Sequence, residues 1–456
     1  MKMYDTPQEL SKYLNIKLEC DCGRTHYVPI KGVEIGADAI ERLPHYVKSL
    51  GYAHPLVLCD EITYKIAGAR CMELMQTAGI AAAEHTLTHL GFDEATLGEI
   101  VINKPDDCDL IIGVGTGSIT DMTRYSSFKL KLPGFTVATG GPVLENMQRL
   151  AASIGIMNVN NLKATMPAHC TEVIIGDTDI LKTAPYRMTV AGFGDLIGKL
   201  TCLNDWELAR IINGEHYCHN IVTLVRECVA DVMKEAPKIK QRDPETLGSV
   251  MRGLVLSGAA ISLYGDSRPA SGAEHHMSHY WETILEQRGI RPAMHGEQVA
   301  VGTVLVLMLI EELLKENIDF DAARESARAY NSAAWELEIR AHYGAATDEV
   351  IALEQKAGKN NIEGRLARID SMQRSWDAVR VQLETLPESS SVRALLRDIG
   401  CPCTPADIGV DDELLMDTFR YCKEIRARYT VFQTVYDLGL TDKLAARVIE
   451  KANSTD

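Results

Sequence analysis

DLIIGVGTGSITD, residues 109–121, is the stretch on which the fold turns. An acid opens it, an apolar run follows, and Gly113, Gly115 and Gly117 then alternate into a helical pattern. A short apolar run bounded by turn residues reads as a strand buried on both faces, and such strands belong to parallel sheets. Glycines between a strand and a helix let backbone N–H groups approach a phosphate at the helix N-terminus. The plainer reading is a tight strand–helix turn. The spacing is not G-x-G-x-x-G, and no acid lies at the usual distance after it. Asp60, which closes an earlier strand, is the candidate for an adenine ribose.

Working outward, PLVLCD at 55–60, GFTVA at 134–138 and VIIG at 173–176 repeat the short apolar pattern. Residues 25–30 and 85–90 alternate as strands do, and 32–36 reads as a turn. Helical patterns fill 1–16, 37–50, 63–78 and 94–103. Strand and helix in alternation predict a parallel α/β sheet. After about residue 185 the strand pattern stops. Long helices are expected at 188–212, 219–234, 244–263, 299–315 and 320–341, with more to the end. The expected organisation is an α/β dinucleotide-binding domain at 1–185 and an all-helical domain at 186–456 that binds metal and substrate. The polar segment beyond 356 is expected to wrap the outside.

The chain has 456 residues, 46% of them hydrophobic, and a net charge of −16. That length suggests two or three domains. An acidic chain without a basic run argues against nucleic acid and anionic membranes. No charged-then-apolar leader opens the sequence. The longest apolar run, 299–310, is too short to span a bilayer and reads as a buried helix. Twelve dispersed cysteines fit reduced thiols in a cytoplasmic protein. Cys20, Cys22, Gly23 and His26 have a metal-like spacing. With no second ligand pair following, a strand of small thiols turning at Gly23 is the expectation.

Two further stretches carry chemistry. SRPASGAEHHMSHYWETILEQRGIRPAMHGE, residues 267–297, holds four of the 13 histidines. Ser271 and Glu274 match a capping box, so a helix should begin there and end near Gln287, before Gly289 and Pro292. His275 and His279 then lie one turn apart on one face, and His295 opens the next helix. Such histidines either gather around a divalent metal or cap helices and bond carbonyls. GFGDLIGK, residues 192–199, packs three glycines into a helical stretch, where each costs about 1 kcal/mol relative to alanine. Close approach of a backbone or ligand is expected there. Asp195 and Lys199 share a face as a possible ion pair, and Asp195 is also a candidate carboxylate ligand beside His275 and His295.

GVGTGSITDMTRY, APYRMTVAGFGDLIGK, SRPASGAEHHMSH and MHGE, in that order, resemble the sn-glycerol-1-phosphate dehydrogenases. That family sits in the larger group of glycerol dehydrogenase, iron-containing alcohol dehydrogenases and 3-dehydroquinate synthase. The resemblance spans roughly residues 15–310. It implies a Rossmann-like N-terminal domain and a helical metal-binding domain. It implies a zinc or nickel ion on Asp195, His275 and His295, with His276 not a ligand and His279 facing substrate. Dinucleotide-binding positions carried over are Gly115, Thr116, Gly117, Ser118, Ile119 and Thr139.

The expected activity is NAD(H)- or NADP(H)-linked interconversion of dihydroxyacetone phosphate and sn-glycerol 1-phosphate or a related polyol phosphate. The alternatives are a dehydroquinate-synthase-like lyase and a non-catalytic nucleotide-binding relative. His279, Asp195 and Lys199 are the expected catalytic residues, with Lys199 and Arg268 candidates for the substrate phosphate. A homodimer without membrane insertion or nucleic acid is expected. One departure stands out. Where the family has Thr-Ala-Pro-Ser-Met-Asp, this chain reads TGGPVLENMQRLAA at 139–152. Alignment on Met147 puts Gln148 at the acid's position, and ungapped alignment puts Leu144 there. Glu145 is the other side chain able to replace the missing acceptor.

Overall fold

The computed structural model describes residues 14–89, 91, 93–115, 117–140, 154–159, 162–168 and 170–454, with 154–159 and 162–167 as backbone only. The helix expected at 1–16 lies almost wholly outside them, as do Thr116, Leu144, Glu145, Met147 and Gln148. Packing groups the chain into two units, residues 1–196 with 219–267 and residues 197–218 with 268–456. The change from alternating strand and helix to helix alone falls earlier, since no strand follows Asp177 among the described residues.

The first unit is built on a six-stranded parallel sheet. Its strands are β3 (Gly32–Gly36), β4 (Pro55–Cys59), β5 (Ala83–Thr86), β6 (Leu110–Gly115), β7 (Gly134–Ala138) and β10 (Val173–Asp177). Their order is β3-β10-β7-β6-β4-β5. The central strands β4, β6, β7 and β10 are buried throughout, as their unbroken apolar runs predict. From β4 the chain winds outward to β5, and from β6 it winds the other way to β7. The carboxyl ends of β4 and β6 therefore form the topological switch point, where ligands bind in open α/β sheets.

Smaller strands complete the unit. β1 (Leu18–Glu19) and β2 (Thr25–His26) form a hairpin, and β8 (Ile154–Val159) pairs antiparallel with β9 (Leu162–Pro167). The expected strand at 25–30 is thus only two residues long, and β8–β9 had no expectation. Residues 32–36, read as a turn, are instead the edge strand β3 paired with β10. The glycine that suggested a turn serves packing: a Cβ on Gly32 would sit 2.2 Å from the Tyr46 ring, whose hydroxyl donates to Glu34 at 2.8 Å.

Helices relevant to function are α1 (Gly117–Leu130), α2 (Tyr186–Ile197), α3 (Lys199–Asn213), α4 (His219–Glu235), α5 (Pro244–Tyr264), α6 (Ala273–Gln287) and α7 (His295–Leu314). The helix expected at 188–212 is interrupted at Gly198, so Asp195 and Lys199 lie on successive helices. Helix α5 is long and apolar enough to cross a membrane, but 83% of its most apolar window is buried inside the protein.

In the second unit, α6 and α7 pack with almost no gap. A Cβ on Gly302 would lie 2.9 Å from the carbonyl oxygen of Glu274. The C-terminal segment is not a wrapping. Trp281 Nε1 donates to Thr418 Oγ1 at 2.8 Å, and Arg268 Nη1 donates to the Tyr429 carbonyl at 2.7 Å. A polar composition looked external, yet its Thr, Arg and Asp side chains satisfy buried partners.

Asp205, fully buried on α3, shows how the second unit is tied together. Its Oδ2 accepts from Ala273 N–H and its Oδ1 from Val431 N–H, both at 2.7 Å. One carboxylate thus caps two helices. Burial, with Glu274 nearby, pushes this carboxyl up to about 7. A raised acid contributes stability that is complete below the unfolded pKa and lost as pH rises through about 7. Asp205→Asn cannot serve both N–H groups and should be less stable at pH 5. The gap in Tm between the two proteins should shrink by pH 8. A gap that stays constant would show that Asp205 does not titrate there.

Candidate active site

Helix α6 carries the histidines, and its start differs from the expected capping box. Gly272, not Ser271, is the N-cap, and Asp205 caps Ala273 from α3. Glu274 keeps part of the capping role and takes on another. Its Oε1 accepts from Gly272 N–H and faces His275 Nδ1, both at 2.7 Å, while Thr201 Oγ1 on α3 donates to Oε2 at 2.6 Å. The carboxylate is fully buried, and the His275 ring and Thr201 hydroxyl hold it below the usual carboxylate range against the opposing burial.

Glu282, two turns further along α6, performs the same service twice. Its Oε2 lies 3.2 Å from His279 Nδ1 and its Oε1 lies 3.2 Å from His295 Nδ1. Ser278 Oγ lies 3.0 Å from the same His295 nitrogen. A carboxylate is an acceptor only, so each imidazole presents Nδ1–H to it and keeps its lone pair on Nε2. The ring centroids are 5.1 Å apart for His275–His295, 5.3 Å for His279–His295 and 6.1 Å for His275–His279. Potential ligand atoms of His275 and His295 lie within 4.8 Å of one another.

Three adjacent imidazoles, each fixed in the tautomer that bares Nε2, form a donor set suited to a borderline-soft divalent metal. Burial pushes His279 well below the ordinary histidine range, so it is neutral near pH 7. His276 is different. It is fully buried, its ring nitrogens make no hydrogen bond among the described residues, and its environment of Arg428, Lys359 and Arg426 also disfavours protonation. It is a core imidazole about 100° around α6 from His275.

The other anticipated residues are placed as follows. Asp195 is buried in the last turn of α2, and Lys199 is buried at the start of α3. Arg268 is held by Glu215, with Nε 2.6 Å from Oε1 and Nη2 on Oε2, and by the Tyr429 carbonyl. That is a structural ion pair. Gly115 ends β6, Gly117 begins α1, Ser118 is exposed and Ile119 is buried. A Cβ on Gly115 would come within 2.5 Å of Ile119, so this glycine is needed for the strand–helix turn itself. Thr139 is buried, and its Oγ1 has no partner among the described residues. Asp60 Oδ1 accepts from Ile62 and Thr63 N–H groups, a capping role visible in the structure.

Sequence reasoning missed Glu282 and Ser278. The signal was present: Glu282 stands three residues after His279, on the same helix face. Thr201 and Asp205 had no local signal.

The model of the iron-containing alcohol dehydrogenase family matches residues 34–185. Glycerol-1-phosphate dehydrogenase, NAD(P)+, of Halalkalibacterium halodurans is 27% identical over 428 residues, covering 92% of this chain and 96% of the relative. The enzyme of the same name from Pyrococcus horikoshii is 32% identical over 282 residues, covering 61% of this chain and 78% of its own length. The chain belongs to the glycerol-1-phosphate dehydrogenase family. Among solved structures, glycerol dehydrogenase from Schizosaccharomyces pombe has a TM-score of 0.61 at 15% identity, covering 97% of this chain and 95% of that one. At that identity the likeness concerns the fold alone.

Proposed function

We propose that this chain is a metal-dependent, NAD(P)-linked oxidoreductase that interconverts dihydroxyacetone phosphate and sn-glycerol 1-phosphate. The observation that carries this reading is the set of three imidazoles whose Nδ1 atoms are held by Glu274 and Glu282. Such anchoring is what a metal site requires and what helix capping does not. Asp195, His275 and His295 would hold a zinc or nickel ion. When bound, the ion supplies Lewis-acid polarisation of a ketone oxygen and the nicotinamide supplies hydride. Neutral His279, anchored through Nδ1, orients a substrate hydroxyl or passes its proton through Nε2. Lys199 is proposed as the cation for the substrate phosphate. Residues 1–185 are assigned to the dinucleotide and 186–456 to metal and substrate. A cytoplasmic homodimer is proposed.

The switch point supports a dinucleotide at the β6–α1 turn, with Thr139 beside it and Asp60 at the end of β4. Gly117→Val should raise the Kd for NADH by about tenfold, ~1.4 kcal/mol, with metal content unchanged. An unaltered NADH titration would show that this turn is only structural.

The substrate is tested at Gln148. A neutral amide there would hold a hydroxyl by hydrogen bonds about half as strong as charge-assisted ones. Gln148→Asp should therefore raise kcat/KM for dihydroxyacetone phosphate by about tenfold. A wild-type protein that binds metal and NADH yet is inert to millimolar dihydroxyacetone phosphate would overturn this substrate and leave the dehydrogenase class standing.

A further inference from the structure

The N-terminal hairpin holds a constellation that the oxidoreductase chemistry does not use. β1 and β2 pair antiparallel, with Leu18 opposite His26 and Glu19 opposite Thr25. The turn between them is closed by Cys20 N–H to the Arg24 carbonyl at 3.2 Å and Gly23 N–H to the Cys20 carbonyl at 3.1 Å. Gly23 has φ +84°, a conformation that favours glycine. The turn thus carries two thiols two residues apart, and the returning strand carries an imidazole.

Cys22 Sγ lies 3.3 Å from His26 Nε2, and the donor atoms of Cys20, Cys22 and His26 lie within 4.8 Å of one another. Zinc bonds of about 2.3 Å to sulfur and 2.0 Å to nitrogen place tetrahedral ligands roughly 3.5 Å apart. The second observation is at the far side of the ring. His26 is buried, and its Nδ1 is 2.6 Å from the Leu263 carbonyl near the end of α5. A carbonyl accepts only, so Nδ1 carries the proton and Nε2, facing Cys22, carries the lone pair. The third lies on α4. Asn220 Nδ2 donates to Cys20 Sγ at 3.2 Å and to Asp21 Oδ1 at 2.8 Å. Cys218 stands two residues before Asn220 along the chain.

We propose that Cys20, Cys22 and His26, with Cys218 as fourth ligand, bind a structural zinc ion separate from the Asp195, His275 and His295 site. Three thiolates and one neutral imidazole form a closed tetrahedral set with no position for substrate. The ion ties the hairpin to the start of α4, while the His26–Leu263 bond ties it to the end of α5.

The test uses the full-length protein. Wild type should contain a second zinc ion, and its cobalt(II)-substituted form should show a thiolate-to-cobalt charge-transfer band. Cys22→Ser and His26→Ala should lose that zinc and most of the band, lower Tm, and keep the other metal. His295→Ala should keep the band. Cys218→Ser should weaken zinc retention at this site at least tenfold. The wild-type band needs no variant to fold. A cobalt protein without the band, or a single zinc that His295→Ala removes, would overturn the proposal. Full zinc and an unchanged band in Cys218→Ser would overturn Cys218 as the fourth ligand.

Discussion

His295→Ala should remove the metal proposed at Asp195, His275 and His295 and abolish turnover. Losing an outer-shell partner of a metal ligand costs about 10–100-fold in affinity, so losing a ligand should cost well over ~100-fold. His295 opens α7, and its ring lies 5.1 Å from His275 by centroids. Deleting it leaves Glu282 Oε1 without its imidazole and cannot be repaired by a neighbour on the same turn. His276→Ala is the control. His276 is buried with no hydrogen bond at either ring nitrogen among the described residues, so its loss should cost packing but leave the metal in place. Metal analysis beside an NADH oxidation assay separates the two. Retention of metal in His275→Ala together with loss in His276→Ala would reverse the ligand assignment.

Glu282→Gln should lower metal affinity or kcat by about 10–100-fold with the fold intact. The carboxylate accepts from His279 through one oxygen and from His295 through the other. An amide keeps only one acceptor oxygen, and its NH2 group faces an Nδ1–H that also donates. One ring must then turn or change tautomer, which moves its lone pair from Nε2 to Nδ1. If His295 is the ring that changes, metal content should fall. If His279 changes, metal should stay while kcat falls and its pH profile shifts. A variant with unchanged metal affinity, kcat and pH profile would show that Glu282 merely fills space.

Much of this arrangement can be traced in the chain itself. Apolar runs at 55–59 and 110–114 dictate strands buried on both faces, because nothing else satisfies so many β-branched and aliphatic residues in so few positions. The glycines at 113 and 115 let the following helix pack close to the strand, with Thr123 and Ile119 filling the space their side chains would take. The interval from Ala273 to Gln287 dictates that His275 and His279 share a face, since a helix returns after 3.6 residues. These are local effects, set by interactions over a few residues.

What tertiary structure alone decided lies at long range. Glu274 reaches back to the N-cap Gly272 and also faces His275, and Asp205, 68 residues from Ala273, supplies the rest of the cap. The polar C-terminal segment could have covered the outside, but Val431 N–H needs the same Asp205 across 226 residues. Gly32 could turn the chain or admit Tyr46, and pairing with β10 chose the second. The spacing at Cys20, Cys22 and His26 left a strand of small thiols as the expectation, and packing brought the Leu263 carbonyl to His26 and Asn220 to Cys20. The physical reason is shared by the polar cases. A buried polar group must find a partner, and its own residue type specifies the need but not which distant segment packing will bring to meet it.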